Sequence, residues 1–311
     1  IEVRFVDPSE PNNFLKATDN NTRAYFGETL PNPKLNIFPI KEVSDLGKKL
    51  GIPLIIDNTA APIIIKPIIH GASVVIHSTT KYIGGHGTSI GGIIIDSGNL
   101  NWEEFKERQP LLNNPDPSYH GAIWTEAVKP LGPIAFILKA RVTLLRDIGG
   151  AMSPFNAFQF IQGLETLPLR IREQCKNAKL VAEYLSSLKS VSKVIYPSLF
   201  TGEHKKRVDT YLDNNNFGAL VGFEIDGGIE IGKKFIDSLN LFYHVANIGD
   251  AKSLAIHPAS TTHSQLSEED KLRAGVNNSY IRLSIGIEHI DDIINDLDNA
   301  LNKATKSIKA T

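Results

Sequence analysis

Residues 71–96 read GASVVIHSTTKYIGGHGTSIGGIIID. Ala72–Ile76 has the continuous apolar texture of a buried strand, and GGIIID ends in a second one. Between them sits Lys81, a few residues past the first strand. Lysine is almost never fully buried without a partner, and taking its charge out of water is costly. So Lys81 either returns to solvent or belongs to a site that uses an amine.

Working outward, PLIIDNT (53–59) is another short apolar strand, and VSDLGKKLGI (43–52) before it has helix-like spacing. Ile/Val-rich runs without polar alternation suit a parallel sheet covered on both faces, with helical segments as crossovers. Residues 102–133 are rich in Pro, Asn and charge and read as an irregular excursion. IAFILKARVTLLRDIGG (134–150) resumes as a helix stopped by a Gly pair. The later half changes texture: a helix over IREQCKNAKLVAEYLSSL, strands VSKVIY and GALVGFEID, a helix over IEIGKKFIDSL, a strand SYIRLSIGI and a last helix. This is an α+β pattern. In the last helix Ile290, Ile293, Ile294, Leu297 and Leu301 share one face. Asp291 and Asp292 open it, and Lys303 and Lys306 lie near its end, matching the helix dipole. The expectation is two domains, 1–155 and 156–311, which suits a length of 311 residues.

Composition narrows the function classes. The chain is 41% hydrophobic and 22% charged, with a formal net charge of -1. It offers no basic surface argument for nucleic acid or anionic membrane. No apolar run approaches the ~20 residues that cross a bilayer, and no signal peptide is evident at the start. The single Cys175 excludes an internal disulfide and favours a cytoplasmic setting. The opening IEVRFVDPSE reads as a strand entered midway, and Met152 is the only methionine. A processed, trimmed or incompletely recorded chain is expected.

Three features converge on one chemistry. Asp57 ends its strand, where open α/β sheets present ligand-binding groups. Read alone it is as readily a turn or cap aspartate. Ser78 and Thr80 lie just ahead of Lys81 and precede GGHG, so hydroxyls and backbone N–H groups gather where a phosphate could sit. Lys81 follows the next strand, near the same sheet edge. A lysine for the aldehyde, hydroxyls for the phosphate and an aspartate for the ring nitrogen are what pyridoxal phosphate (PLP) requires. A surface lysine is the plain alternative. A P-loop fails because Lys81 precedes the glycines and Tyr82 follows it. His70, His77 and His86 lack zinc-ligand spacing, and no metal is expected. Cys175 reads as a packing residue.

The segments DNTAAP (57–62), HSTTKYIGGHG (77–87), SPFNAFQFIQGLETLPLR (153–170), ANIGDAKSLAIHPASTTHSQL (246–266) and YIRLSIGIEHIDDIINDL (280–297) together resemble the Cys/Met-metabolism family of PLP-dependent enzymes. The closest likeness is to its O-acetylhomoserine sulfhydrylase branch, along nearly the whole chain and in order. The resemblance implies an aspartate-aminotransferase-like α/β fold (fold type I), with a mostly parallel cofactor domain and an α+β C-terminal domain. It implies that Lys81 carries PLP and shuttles protons, that Asp57 faces the pyridine nitrogen, and that Ser78 and Thr80 bind the phosphate. Asn32, in ETLPNP, matches the position near the cofactor's phenolic oxygen. Arg282 matches the arginine that clamps the substrate carboxylate, with Asn247 beside it. Thr261 and His263 in the PASTTHSQL loop match weaker positions.

The implied activity is transfer of sulfide onto O-acetyl-L-homoserine to give homocysteine, by a cytoplasmic homotetramer built as a dimer of dimers. Methionine γ-lyase and cystathionine γ-synthase chemistry are the neighbouring alternatives. The family's front part supplies a Gly-rich phosphate turn, a ring-stacking aromatic, and a Tyr and an Arg lent to the neighbouring subunit. This sequence has no match to that part before Ile1. The implied cofactor domain is therefore incomplete, with a flank of its sheet exposed, and a catalytically incomplete fragment or pseudo-subunit is the reading from another class.

Overall fold

A computed structural model describes residues 1–213 and 216–306. Four strands form the first sheet: β1 (Tyr25–Glu28), β2 (Leu54–Asp57), β3 (Val74–Ser78) and β4 (Gly92–Asp96), in that spatial order. β1, β2 and β3 are mutually parallel. Their C-terminal ends therefore lie on one edge, with Glu28 opposite Asp57 and Asp57 opposite Ile76. The helix Ile40–Leu50 joins β1 to β2, burying Ile40, Val43 and Gly47 and stopping at Gly51, whose φ of 69° is left-handed. The β2–β3 crossover is shorter than a helix, a single 3₁₀ turn at Pro67–His70.

Two expectations are corrected here. GGIIID does form a strand, but β4 runs antiparallel to β3: Thr79 N–H donates to Gly91 O at 3.0 Å, closing residues 79–91 into a loop that hands the chain back at the end where β3 stops, as an antiparallel return requires. Its Ile93, Ile94 and Ile95 are exposed rather than covered. The opening residues 1–6 carry no strand ladder; with their backbone unpaired, apolar Ile1, Val3 and Phe5 stand in solvent.

The second sheet has the order β5 (Val191–Ile195), β6 (Leu220–Ile225), β9 (Tyr280–Ser284), β8 (Leu254–Ile256), β7 (Tyr243–His244). Only the short β7–β8 pair is parallel. One face packs against the helices Gly228–Ser238 and Ile290–Thr305 and the end of a long helix, Pro154–Ser186. Val221, Phe223, Ile281 and Leu283 meet Ala178, Val181, Leu185, Phe235, Ile293, Leu297 and Leu301 there. Each large apolar side chain so buried contributes about 1.5–3 kcal/mol. Successive strand residues point to opposite faces. With Ile281 and Leu283 in this core, Arg282 must face the other way.

The helix Pro154–Ser186 is 33 residues long and runs across the expected boundary at 155/156. It joins two segments that read separately in sequence, despite an interior Pro168. The segment 135–147 is helical, an α turn over Ala135–Lys139 continuing as a π-helix to Asp147, and it ends before Gly149–Gly150.

Candidate active site

Lys81 stands three residues past β3, and its backbone is held by a tight turn. Gly84 N–H donates to Thr79 O (2.8 Å) and Gly85 N–H to Lys81 O (2.7 Å). Gly85 has φ 74°, a conformation that favours glycine. The Lys81 ammonium donates to Asn247 Oδ1 at 2.5 Å, and Arg282 Nη2 donates to the Asn247 backbone O at 2.9 Å. Residues 166 and 35 positions apart thus form one chain of contacts, Lys81–Asn247–Arg282.

The electrostatics of this chain are those of a site kept for a ligand. Partial burial, and then the Arg282 charge, hold the Lys81 amine below the ordinary 10.5. Arg282 is 7% exposed. Its Nε has no hydrogen-bond partner among the described residues, and burial lowers its pKa. A buried guanidinium with an unsatisfied edge is costly, and a planar anion would satisfy it.

The other expected residues collect around the same sheet edge. Asp57 Oδ1 accepts from Thr59 N–H at 2.8 Å, and Thr59 Oγ1 accepts from Ser78 N–H at 2.8 Å. This pins the end of β2 to the end of β3, just ahead of Lys81. Asn32 follows β1, and Tyr280 ties that segment to β9 by donating to Pro33 O at 3.0 Å. Thr80 spends its hydroxyl on the turn, donating to Gly91 O (3.3 Å) and accepting from Gly91 N–H (3.0 Å). Thr261 and His263 are engaged within their own loop, with His257 O and Thr262 Oγ1 respectively. Among the described residues neither is hydrogen-bonded to Lys81, Asn247 or Arg282.

Some residues at the site had no signal in sequence. Nothing in the local pattern singles out Thr59 or Glu28. Glu28 sits in register with Asp57, and its carboxyl is pushed up by desolvation and then by the Asp57 charge. His77 lies by the same edge, its Nδ1 buried and without a hydrogen-bond partner among the described residues; burial lowers its pKa, with Asp57 opposing. Beside the turn, Thr80, Gly84, His86, Gln159 and Gln162 line a cleft of ≈ 360 Å³. Cys175 is fully buried, its thiol pushed up to about 12 by burial.

These residues fit PLP. An amine of lowered pKa, a strand-end carboxylate, a hydroxyl- and glycine-rich turn and an under-satisfied guanidinium meet at one edge. The donor set offers each part of the cofactor and an amino-acid carboxylate a chemically matched partner.

Comparison with known proteins agrees. The pattern of the family described as Cys/Met metabolism PLP-dependent enzyme matches residues 1–302. An O-acetyl-L-homoserine sulfhydrylase of Leptospira meyeri is 53% identical over 307 residues, covering 97% of this chain and 69% of that protein. A homocysteine synthase of Schizosaccharomyces pombe is 42% identical, covering 98% and 70%. A crystal structure from Campylobacter jejuni, described as an O-acetylhomoserine (thiol)-lyase with a pyridoxyl-lysine monophosphate, superposes with a TM-score of 0.89 at 41% identity. It covers 95% of this chain and 70% of its own.

Proposed function

The chain belongs to the Cys/Met-metabolism family of PLP-dependent enzymes, and from that premise we propose that it converts O-acetyl-L-homoserine and sulfide to L-homocysteine and acetate. In the net reaction the Cγ–O bond to acetate breaks, a Cγ–S bond forms, and one sulfide proton leaves with the acetate as acetic acid. The contact chain Lys81–Asn247–Arg282 carries this reading, together with relatives named for this activity.

Bound PLP supplies the electron sink that makes the substrate's Cα proton acidic. The chain's own groups do the rest. Lys81 holds the cofactor, and its amine, depressed in pKa, moves protons at the substrate Cα and Cβ. Arg282 binds the α-carboxylate through a planar fork. Asn247 contacts both groups and so couples carboxylate binding to the placement of the amine. Asp57 keeps the pyridine nitrogen protonated, Ser78 receives the phosphate together with Thr80, whose hydroxyl must turn from Gly91 O to do so, and Asn32 sits by the phenolic oxygen. Residues 1–155 form the cofactor-binding part and 156–311 the second domain.

We assign the protein to the cytoplasm as a homo-oligomer, a dimer of dimers. No helix among the described residues is long and apolar enough to cross a membrane. Phe155, Phe158 and Ile161 stand exposed along one helix, an apolar face of the kind subunit contacts cover.

Incubating the purified protein with PLP, O-acetyl-L-homoserine and sulfide, and quantifying homocysteine, tests the proposal. Homocysteine formed by wild type and lost in Lys81→Ala supports it. Turnover with cysteine alone would point to cystathionine γ-synthase chemistry. Turnover of methionine with water would point to the γ-lyase. A chain that stays colourless in excess PLP would support the incomplete-fragment reading.

A further inference from the structure

Arg170 is 5% exposed and has no carboxylate hydrogen-bonded to it among the described residues; the charge nearest in effect is Asp250. Its guanidinium is spent on backbone carbonyls. Nη1 donates to Tyr82 O at 2.7 Å, and Nη2 donates to Ile83 O at 3.1 Å and Gly163 O at 2.7 Å. Nε donates to Thr166 Oγ1 at 3.1 Å. Tyr82 and Ile83 are the two residues directly after Lys81. A Cβ at Gly85 would lie 2.2 Å from Nη1, so the guanidinium occupies the hollow that a glycine leaves there. Gly85 O in turn accepts from Ala251 N–H at 2.8 Å, on the loop whose Asn247 accepts from the Lys81 amine.

A closed circuit results: Lys81 backbone to Gly85, Gly85 to Ala251, along the loop to Asn247, and Asn247 back to the Lys81 side chain. Arg170 braces its backbone half from the long helix Pro154–Ser186. Placing a full charge in so buried a position is costly, and a neutral side chain could fill the same space. What a neutral side chain cannot do is hold three carbonyls with one rigid, planar, multiply donating group.

We propose that Arg170 is a positioning residue for Lys81: by fixing the carbonyls of Tyr82 and Ile83 it sets where the Lys81 amine stands, and so how fast that amine captures PLP. This rests on the assignment of Lys81 as the cofactor lysine. Loosening the turn would also let water reach the amine, whose charged neighbour is Arg282.

The test uses the apo-protein and reads the appearance of the visible absorbance band after addition of PLP, across pH. Arg170→Gln, Arg170→Lys and, as control on the same helix, the exposed Arg172→Gln are compared with wild type. Far-UV circular dichroism and the thermal midpoint monitor folding. Arg170→Gln is expected to capture PLP about 10²-fold more slowly, the scale of a misplaced reacting group, with its pH profile moved upward. Arg170→Lys is expected to recover part of the rate, and Arg172→Gln all of it. Folded Arg170 variants that match wild type in rate and profile would overturn the proposal. So would loss of fold in both Arg170 variants, since the role would then be structural. A wild type that forms no band removes the Lys81 assignment itself, and this inference with it.

Discussion

Replacing Arg282 by Gln takes away a buried positive charge with few internal partners. In this structure the guanidinium donates to Asn247 O at 2.9 Å and its Nε has no partner among the described residues. If it clamps the substrate carboxylate, two charge-assisted hydrogen bonds are lost, at about 1.5–3 kcal/mol each. Arg282 also bears a desolvation cost in the unliganded protein, which the substitution relieves. A net loss of about 3–5 kcal/mol is therefore expected, or roughly 10²–10⁴-fold in kcat/KM for O-acetyl-L-homoserine. Initial rates of homocysteine formation at varied O-acetyl-L-homoserine and fixed sulfide measure it. The sulfide dependence should be little changed, because the clamp touches only the amino acid. A folded Arg282→Gln protein within about tenfold of wild type would refute the carboxylate assignment.

Four further outcomes rest on the same structure. Burial first and Arg282 second depress the Lys81 pKa, so apo-protein should capture PLP maximally below the pH that an ordinary lysine needs, and Arg282→Gln should shift that profile upward in absorbance titrations. The sign for stability follows: protonating Lys81 costs the folded state, a cost fully present below its folded pKa and gone once pH passes 10.5. Thermal melts of apo Lys81→Met should accordingly exceed wild type at neutral pH, with the gap closing as pH rises. Cys175, with its thiol at about 12 and no exposure, should resist iodoacetamide in the native protein and react only after denaturation; mass spectrometry reads this directly. Leu297→Ala in the second core, where Leu297 is fully buried, should cost about 2–5 kcal/mol in denaturant unfolding.

Local pattern told a good deal. The Ile/Val runs marked β2 and β3, and the stripe from Ile290 to Leu301 marked the last helix, because side-chain period and burial are properties of short windows. Where competing local signals met, reading the windows misled. Gly163 and Pro168 punctuate the segment 153–170 enough to hide that it continues one helix with 171–186. That helix persists because its buried stripe, from Phe160 through Leu167 and Ile171 to Leu185, packs along both halves of the molecule. The strand YFGE (25–28) was too short to register, and it exists because β2 offers it a parallel partner.

By itself the amino-acid order determined the apolar periodicities, the charge balance, and the family likeness that singles out Lys81, Asp57 and Arg282. Only the tertiary structure decided that β4 returns antiparallel, that Asn247 bridges Lys81 and Arg282, and that Arg170 turns its charge onto the backbone behind the lysine. The division has a physical cause. A propensity or a period acts over neighbouring residues, whereas a hydrogen bond spanning 166 positions exists only after the packing of two separate sheets has brought its ends together.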